Sequence, residues 1–118
     1  MKLYHFTCEH AALRISRARV LEPHTQIQLD GRLLIWFTDL EAPDRLDIGL
    51  TSVSLHCDRM AYRATVDDQA RRWPDYLREL PSSVRLKARA LTEGSGLPMH
   101  WYVSEKPLPI VEIERWAP

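Results

Sequence analysis

The sequence has few of the features that mark several protein classes. Two cysteines, Cys8 and Cys57, among 118 residues are too few for a disulfide framework and favour a reduced, cytoplasmic chain. There are four glycines, and the Gly-Ser-Gly stretch at 94–96 lacks the lysine and the strand–loop–helix setting of a phosphate-binding loop. No apolar run approaches the roughly 20 residues that span a bilayer, so no membrane partner is predicted.

An excess of charge of one sign is also missing. Sixteen Lys and Arg residues balance 16 Asp and Glu residues. A net charge of zero gives no bulk electrostatic attraction to nucleic acid, although it does not exclude a nucleic-acid partner. Thirteen of the cations are arginines, which favour paired hydrogen bonds to phosphates or carboxylates over simple point-charge attraction.

The pattern of cysteines and histidines does not predict a metal site. Cys8 lies near His5 and His10, and Cys57 follows His56, but zinc sites usually show pairs such as Cys-x2-Cys. Because strand side chains alternate, His5 and Cys8 would point to opposite sides of a strand. A serine or cysteine nucleophile with a histidine base stays open, although no Gly-x-Ser-x-Gly elbow occurs.

The spacing of apolar residues predicts one α+β domain over residues 1–118, in which helices lie on a split or mixed sheet. Thr7 is the expected N-cap of the first helix, and Asp30-Gly31 is an expected turn within an irregular stretch at 24–32. The predicted strands are 2–7, 33–39, 58–68, 99–105 and 110–116. The predicted helices are 9–20, 69–80 and 81–94.

Three places in this pattern are candidates for chemistry. His5, in the first strand, is either a packed ring or a group that orients the diol of a sugar, since neutral imidazole has one donor and one acceptor nitrogen. Glu105 follows an aromatic strand and precedes a proline turn, so it is either a solvated charge or a carboxylate at a cleft rim. Trp36 and Phe37 alternate, so at least one belongs to the core while the other is a candidate wall for a ligand ring.

Four segments of the chain, in this order, resemble proteins of the ADP-ribosyltransferase fold: "LYHFT", "LLIWFTD", "AYRATVD" and "WYVSEKPLPIVEIERW". The similarity is to the small DNA-targeting ADP-ribosyltransferase toxins and to related short bacterial and phage proteins. RNA 2′-phosphotransferases share the same frame. The resemblance implies a split mixed or antiparallel sheet with flanking helices.

The resemblance also implies a reaction, in which NAD is the substrate and ADP-ribose is moved to a macromolecular acceptor. The toxin resemblance suggests a nucleobase as the acceptor, while a protein side chain or a small molecule is equally consistent with a net charge of zero. A toxin of this kind implies an antitoxin partner. The implied catalytic residues are Glu105 and an arginine that pairs with the pyrophosphate of NAD, for which Arg45, Arg59 and Arg63 are candidates and Arg63, on a strand, is preferred. The implied NAD contacts are His5, Phe6, Thr7, Trp36, Phe37 and Arg45.

Two alternatives remain open on the sequence. One is an RNA 2′-phosphotransferase-like enzyme. The other is a catalytically inactive module of the same fold that binds NAD, ADP-ribose or a partner protein. The family's site has a His-Tyr-Glu pattern, and the stretch "DRLDIGLTSVSLHCD" contains no tyrosine to match its middle member. The inactive module is therefore retained as an alternative.

Overall fold

The computed structural model describes residues 1–26, 29–48, 58–92 and 96–116, apart from the side chains of residues 45, 46, 91 and 92. Helices α1, α2 and α3 span Glu9–Ala18, Trp73–Glu79 and Ser82–Thr92, and 3-10 turns span Arg45–Ile48 and Pro98–His100. Strands β1 to β9 span Lys2–Thr7, Val20–Leu21, His24–Gln26, Arg32–Thr38, Tyr62–Asp67, Arg71–Arg72, Trp101–Ser104, Leu108–Pro109 and Glu112–Arg115.

The main sheet has the strand order β6-β7-β4-β1-β5-β9, and each neighbouring pair is antiparallel. The short strand β3 adds to β4, while β2 and β8 form a separate two-stranded ribbon. Helices and an antiparallel sheet in one domain confirm the predicted α+β class. The Cα radius of gyration, 13.7 Å, is that of one compact domain of this length.

The sheet is interrupted between its two central strands. Strand β1 forms six residue pairs with β5 but only one, Tyr4 with Thr38, with β4. The other half of the β4 edge is occupied by β3, which pairs with residues 32–34. His5 therefore lies where β1 and β4 separate.

Two cores cover the two faces of the sheet, and we name the faces after the helices on them. The α1 face buries side chains such as Leu3, Phe37 and Tyr102, with Ile15 of α1 packed against them. The α2 face buries a second cluster, which contains Trp73, Tyr76, Leu80, Val84, Ala88, Trp101 and Val103. Because strand residues alternate, neighbours along one strand are divided between these faces.

The sequence predictions differ from the structure at the ends of elements. Cys8, not Thr7, is at the N-cap position of α1, because Thr7 still pairs with Tyr62 as the last residue of β1. The helix ends at Ala18 rather than at residue 20, because Arg19 adopts a left-handed conformation with φ of 59°.

Two predicted irregular stretches contain short strands. Residues 24–26 form β3, and residues 108–109 pair with β2 instead of only interrupting the last strand. The turn predicted at Asp30-Gly31 is confirmed, with φ of 55° and 80°. The positive φ at the second position is why glycine is suited to it. Among the described residues, no helix is both long and apolar enough to cross a membrane.

Candidate functional site

His5 links the two strands that separate at the split. Its Nδ1 lies 2.8 Å from the carbonyl oxygen of Trp36. A carbonyl oxygen can only accept, so Nδ1 carries the proton and donates it, and Nε2 of the neutral ring keeps a lone pair. Burial of this half-buried side chain lowers the pKa of His5 below its ordinary value, against a smaller raising effect of the Trp36 hydrogen bond. At neutral pH the ring is uncharged, and Nε2 has the chemistry to accept a hydrogen bond from a sugar hydroxyl.

The other two predicted NAD contacts of β1 are divided between the faces. The ring of Phe6 packs against that of Trp116 with centroids 5.9 Å apart, on the α2 face. Thr7 is buried, with 8% of its surface exposed, and shares the α1 face with His5. Phe6 therefore does not share a side of the sheet with His5, whereas Thr7 does.

Trp36 and Phe37 also point to opposite faces, as the alternation of strand residues requires. The ring of Phe37 meets the His5 ring edge to face, with centroids 6.0 Å apart. Trp36 packs between Trp73 and Trp101 on the α2 face, at centroid distances of 4.8 and 5.9 Å. Of the two predicted aromatic walls, only Phe37 contacts His5, while Trp36 contributes its carbonyl group.

Glu105 lies on the α2 side of the sheet. Its Oε2 is 3.8 Å from Nη1 of Arg32, and the same nitrogen is 3.5 Å from the hydroxyl of Tyr76. The Glu105 side chain is 58% exposed, so this ion pair is weak. Strand β4 separates the carboxylate of Glu105 from the imidazole of His5. The described geometry does not bring these two predicted site residues together.

Arg63, the second predicted catalytic residue, is held by other parts of the protein. Its guanidinium donates to the carbonyl of Glu41 at 2.7 Å and to the carboxylate of Glu114. The same group lies 4.6 Å from the ring centroid of Tyr4 and 4.1 Å from that of Trp116. The residue is 7% exposed. Its contacts are those of a buried cation that joins strands, and they leave it poorly placed to bind a pyrophosphate.

The structure places three polar side chains on the His5 side that the sequence did not single out. Nδ1 of His100 is 2.7 Å from Oδ1 of Asp39, and the hydroxyl of Tyr102 is 3.5 Å from Oδ2 of the same carboxylate. Tyr102 pairs with Phe37 across β7 and β4, so both lie on the α1 face. The Asp39–His100 pair lies two residues further along the same ladder, where the amide of Asp39 donates to the carbonyl of His100 at 3.2 Å.

The pKa of Tyr102 and the charge of Arg72 contribute to the electrostatics beside Asp39. Burial, followed by the charge of Asp39, raises the pKa of Tyr102, so its hydroxyl stays protonated and donates to the carboxylate. Arg72 pairs with Tyr102 from β6 and is exposed, so it brings a cation to the same side of the sheet. The side chain of Arg45, a predicted NAD contact, lies outside the described part of the chain.

Register is the reason why the sequence did not reveal the Asp39–His100 pair. "FTD" and "HWY" are both strand ends, and each has a polar residue beside aromatics. Their polar residues meet only because Phe37 pairs with Tyr102 and Thr38 with Trp101. An Asp at the end of one predicted strand and a His at the start of another was the available signal, but it does not specify the pairing.

The described His, Cys, Asp and Glu side chains do not form a metal site. Within the described ranges, no three His, Cys, Asp or Glu side chains come together as a metal site would require. His56 and Cys57, two of the candidate metal ligands, lie outside those ranges.

Comparison with known proteins finds no matching family model, no matching curated protein and no matching solved structure.

Proposed function

We propose that this chain is a mono-ADP-ribosyltransferase that binds NAD at His5 and moves ADP-ribose to a macromolecular acceptor. The toxin resemblance favours a nucleobase as that acceptor. The observation that carries the proposal is the neutral imidazole of His5 at the split between β1 and β4. Its Nε2 is an acceptor, and the diol of the nicotinamide ribose offers hydroxyl donors for it.

The proposed reaction requires an anionic group near the sugar. The bond between nicotinamide and ribose breaks, its electron pair leaves with nicotinamide, and positive charge develops on the sugar carbon. A carboxylate that faces this carbon stabilises the developing charge. Glu105, the carboxylate that the resemblance implies for this role, lies on the other side of β4 from His5, so its contribution is tested by substitution.

Two measurements on the purified protein test the proposal: NAD affinity by titration calorimetry, and nicotinamide release with water, single-stranded DNA or RNA as acceptor. His5→Gln keeps a donor for the Trp36 carbonyl but displaces the second polar atom. We expect it to weaken NAD binding about tenfold or more, the cost of a lost hydrogen bond in a polar site. His10→Ala, at an exposed histidine in the first turn of α1, is the matched control. Wild-type protein that neither binds NAD nor releases nicotinamide would refute the proposal.

A second candidate function is supported by the position of Glu105. Its separation from His5 by β4 and the engagement of Arg63 favour an inactive module that binds NAD or ADP-ribose without transfer. NAD binding with no nicotinamide release under any acceptor would select this module. If release occurs and Glu105→Gln lowers it about 10²-fold, Glu105 is the reacting carboxylate that the resemblance implies.

A further inference from the structure

We infer that the Asp39–His100 pair is the acid–base device of the transfer reaction, with His100 as the base that takes the proton of the acceptor. The inference rests on the proposed function and concerns residues that the resemblance does not assign. Its basis is a histidine whose one ring nitrogen is engaged by a carboxylate 2.7 Å away. That arrangement leaves the other nitrogen to act on a substrate proton, as in catalytic Asp–His pairs.

Both side chains of the pair are open to an incoming ligand and are held by the surrounding structure. The side chain of His100 is 43% exposed and that of Asp39 is 30% exposed. The amide of His100 donates to the carbonyl of Leu97 at 2.9 Å. Next to it, the amide of Leu97 and the indole of Trp101 each donate to the carbonyl of Asp47 at 2.9 Å. The 3-10 turn that carries His100 is therefore tied to the turn at Arg45–Ile48.

The separation of the two histidines suits a ribose and the attacking atom of the acceptor between them. His5 lies on β1 and His100 at the start of β7, two strand spacings apart and about two residues along the ladder, which is about 12 Å between backbones. A hydrogen bond of about 3 Å from His5 to a ribose hydroxyl, the ribose carbons, the attacking atom X and a hydrogen bond of about 3 Å from X to His100 together span about 10 Å. The buried rings of Phe37 and Tyr102 fill the sheet surface between them.

The step balances without any further reactant. The acceptor X–H attacks the anomeric carbon of NAD, and the bond from this carbon to nicotinamide breaks with its electron pair on nicotinamide. The proton of X–H passes to Nε2 of His100, while Asp39 stabilises the resulting imidazolium through Nδ1. The products are the ADP-ribosylated acceptor, nicotinamide and one proton. Among the described residues, Asp39 contacts this base, Tyr102 contacts Asp39, and the charge of Arg72 acts on Tyr102.

Chemical rescue tests the role of His100 directly. We expect His100→Ala to keep NAD affinity by calorimetry but to release nicotinamide about 10²-fold more slowly, the contribution of one general base. Added imidazole should restore part of the rate in this variant, because it replaces the missing base, and should not accelerate the wild type. His10→Ala, which also removes an exposed histidine, should behave as wild type with or without imidazole.

Asp39 is a positioning residue in this scheme, and its variant has a different readout. We expect Asp39→Asn to lower kcat about tenfold while KM for NAD is unchanged, since the asparagine keeps the hydrogen bond and loses the charge. A parallel loss of NAD affinity would indicate a structural or binding role instead.

The outcomes separate the two proposals. Wild-type release with an unimpaired His100→Ala variant overturns the inference and leaves the transferase standing. A slow variant that imidazole does not rescue also overturns it, because the loss is then structural. Absence of both NAD binding and release in the wild type refutes the transferase, and the base assignment with it.

Discussion

At the scale of single residues, the most consequential contact is the one between His5 and the Trp36 carbonyl. In a regular antiparallel sheet a backbone amide of β1 would occupy that acceptor. Here the side chain of His5 takes its place, at the point where β1 and β4 part. The hydrogen bond satisfies the half-buried carbonyl of Trp36 and selects one tautomer of the ring. The same contact therefore joins two strands and determines which ring nitrogen can accept a hydrogen bond.

The lowered pKa of His5 predicts that stability depends on pH in a definite direction. The unfolded chain binds a proton at His5 near the ordinary pKa of 6.5, while the folded chain binds it only at lower pH. Between these two values the unfolded state holds more protons. The free energy of unfolding contributed by this group therefore falls as the pH decreases below about 6.5, by up to about 1.4 kcal/mol per pH unit.

Urea unfolding at a series of pH values from 7.5 to about 5 measures this dependence. In His5→Gln the part due to His5 disappears, so the curve of unfolding free energy against pH should be flatter than that of the wild type. His10→Ala, at an exposed histidine in the first turn of α1, provides the comparison and should keep the wild-type slope. An equally steep curve in His5→Gln would contradict the assigned shift.

At the scale of elements, Arg63 joins β5 to its two neighbours. It touches Tyr4 of β1, pairs with Glu114 of β9 and reaches the carbonyl of Glu41 after β4. We expect Arg63→Ala to lower the free energy of unfolding by about 2–4 kcal/mol, because it removes a nearly buried cation from two rings and several acceptors. Chemical denaturation measures the change, and Arg59→Ala, at an exposed position, should stay within about 0.5 kcal/mol of wild type.

The Arg63→Ala variant also distinguishes two possible roles of Arg63. If Arg63 bound the pyrophosphate of NAD, its removal would weaken NAD binding and change the unfolding free energy little. The contacts of the guanidinium predict the opposite, namely a large loss of unfolding free energy and little change in NAD affinity. A stable Arg63→Ala protein with lost NAD affinity would restore the role that the resemblance implied.

The elements themselves show what periodicity can and cannot predict. The strands with long alternating or apolar runs, such as β1, β4 and β5, and all three helices were predicted, because their patterns are local. Strands β2, β6 and β8 have two residues each and exist only because a partner strand lies beside them. No local pattern encodes such pairs.

The residues of the candidate site were likewise predicted from the sequence only in part. His5 was identified from the pattern of its own strand. Its tautomer could not be predicted from that pattern, because the tautomer depends on a carbonyl 31 positions away. Asp39 and His100 are 61 positions apart and meet through the register of β4 with β7. Glu105 stands only one residue beyond the end of β7, yet its side chain turns to Arg32 on the other face. Register and facing are tertiary properties, so sequence patterns alone did not give them.

At the scale of the whole molecule, the sheet separates two cores, and a ligand at His5 would bind only when β1 and β4 are assembled around it. A ligand that binds the folded state alone stabilises that state by mass action. At an NAD concentration 100 times the dissociation constant, the free energy of unfolding should rise by about 2.7 kcal/mol. For a chain of this length we expect the Tm to increase by about 10 °C.

Differential scanning fluorimetry with NAD, ADP-ribose and AMP resolves which part of the dinucleotide the protein contacts. NAD and ADP-ribose should both stabilise the wild type more than AMP does, because both carry the distal ribose that His5 is proposed to hold and AMP does not. His5→Gln should lose most of this shift and keep whatever shift AMP produces, while His100→Ala should retain the full shift, since His100 acts on the acceptor. An equal shift for NAD in the wild type and in His5→Gln would place the dinucleotide elsewhere on the molecule and remove His5 from the proposed site.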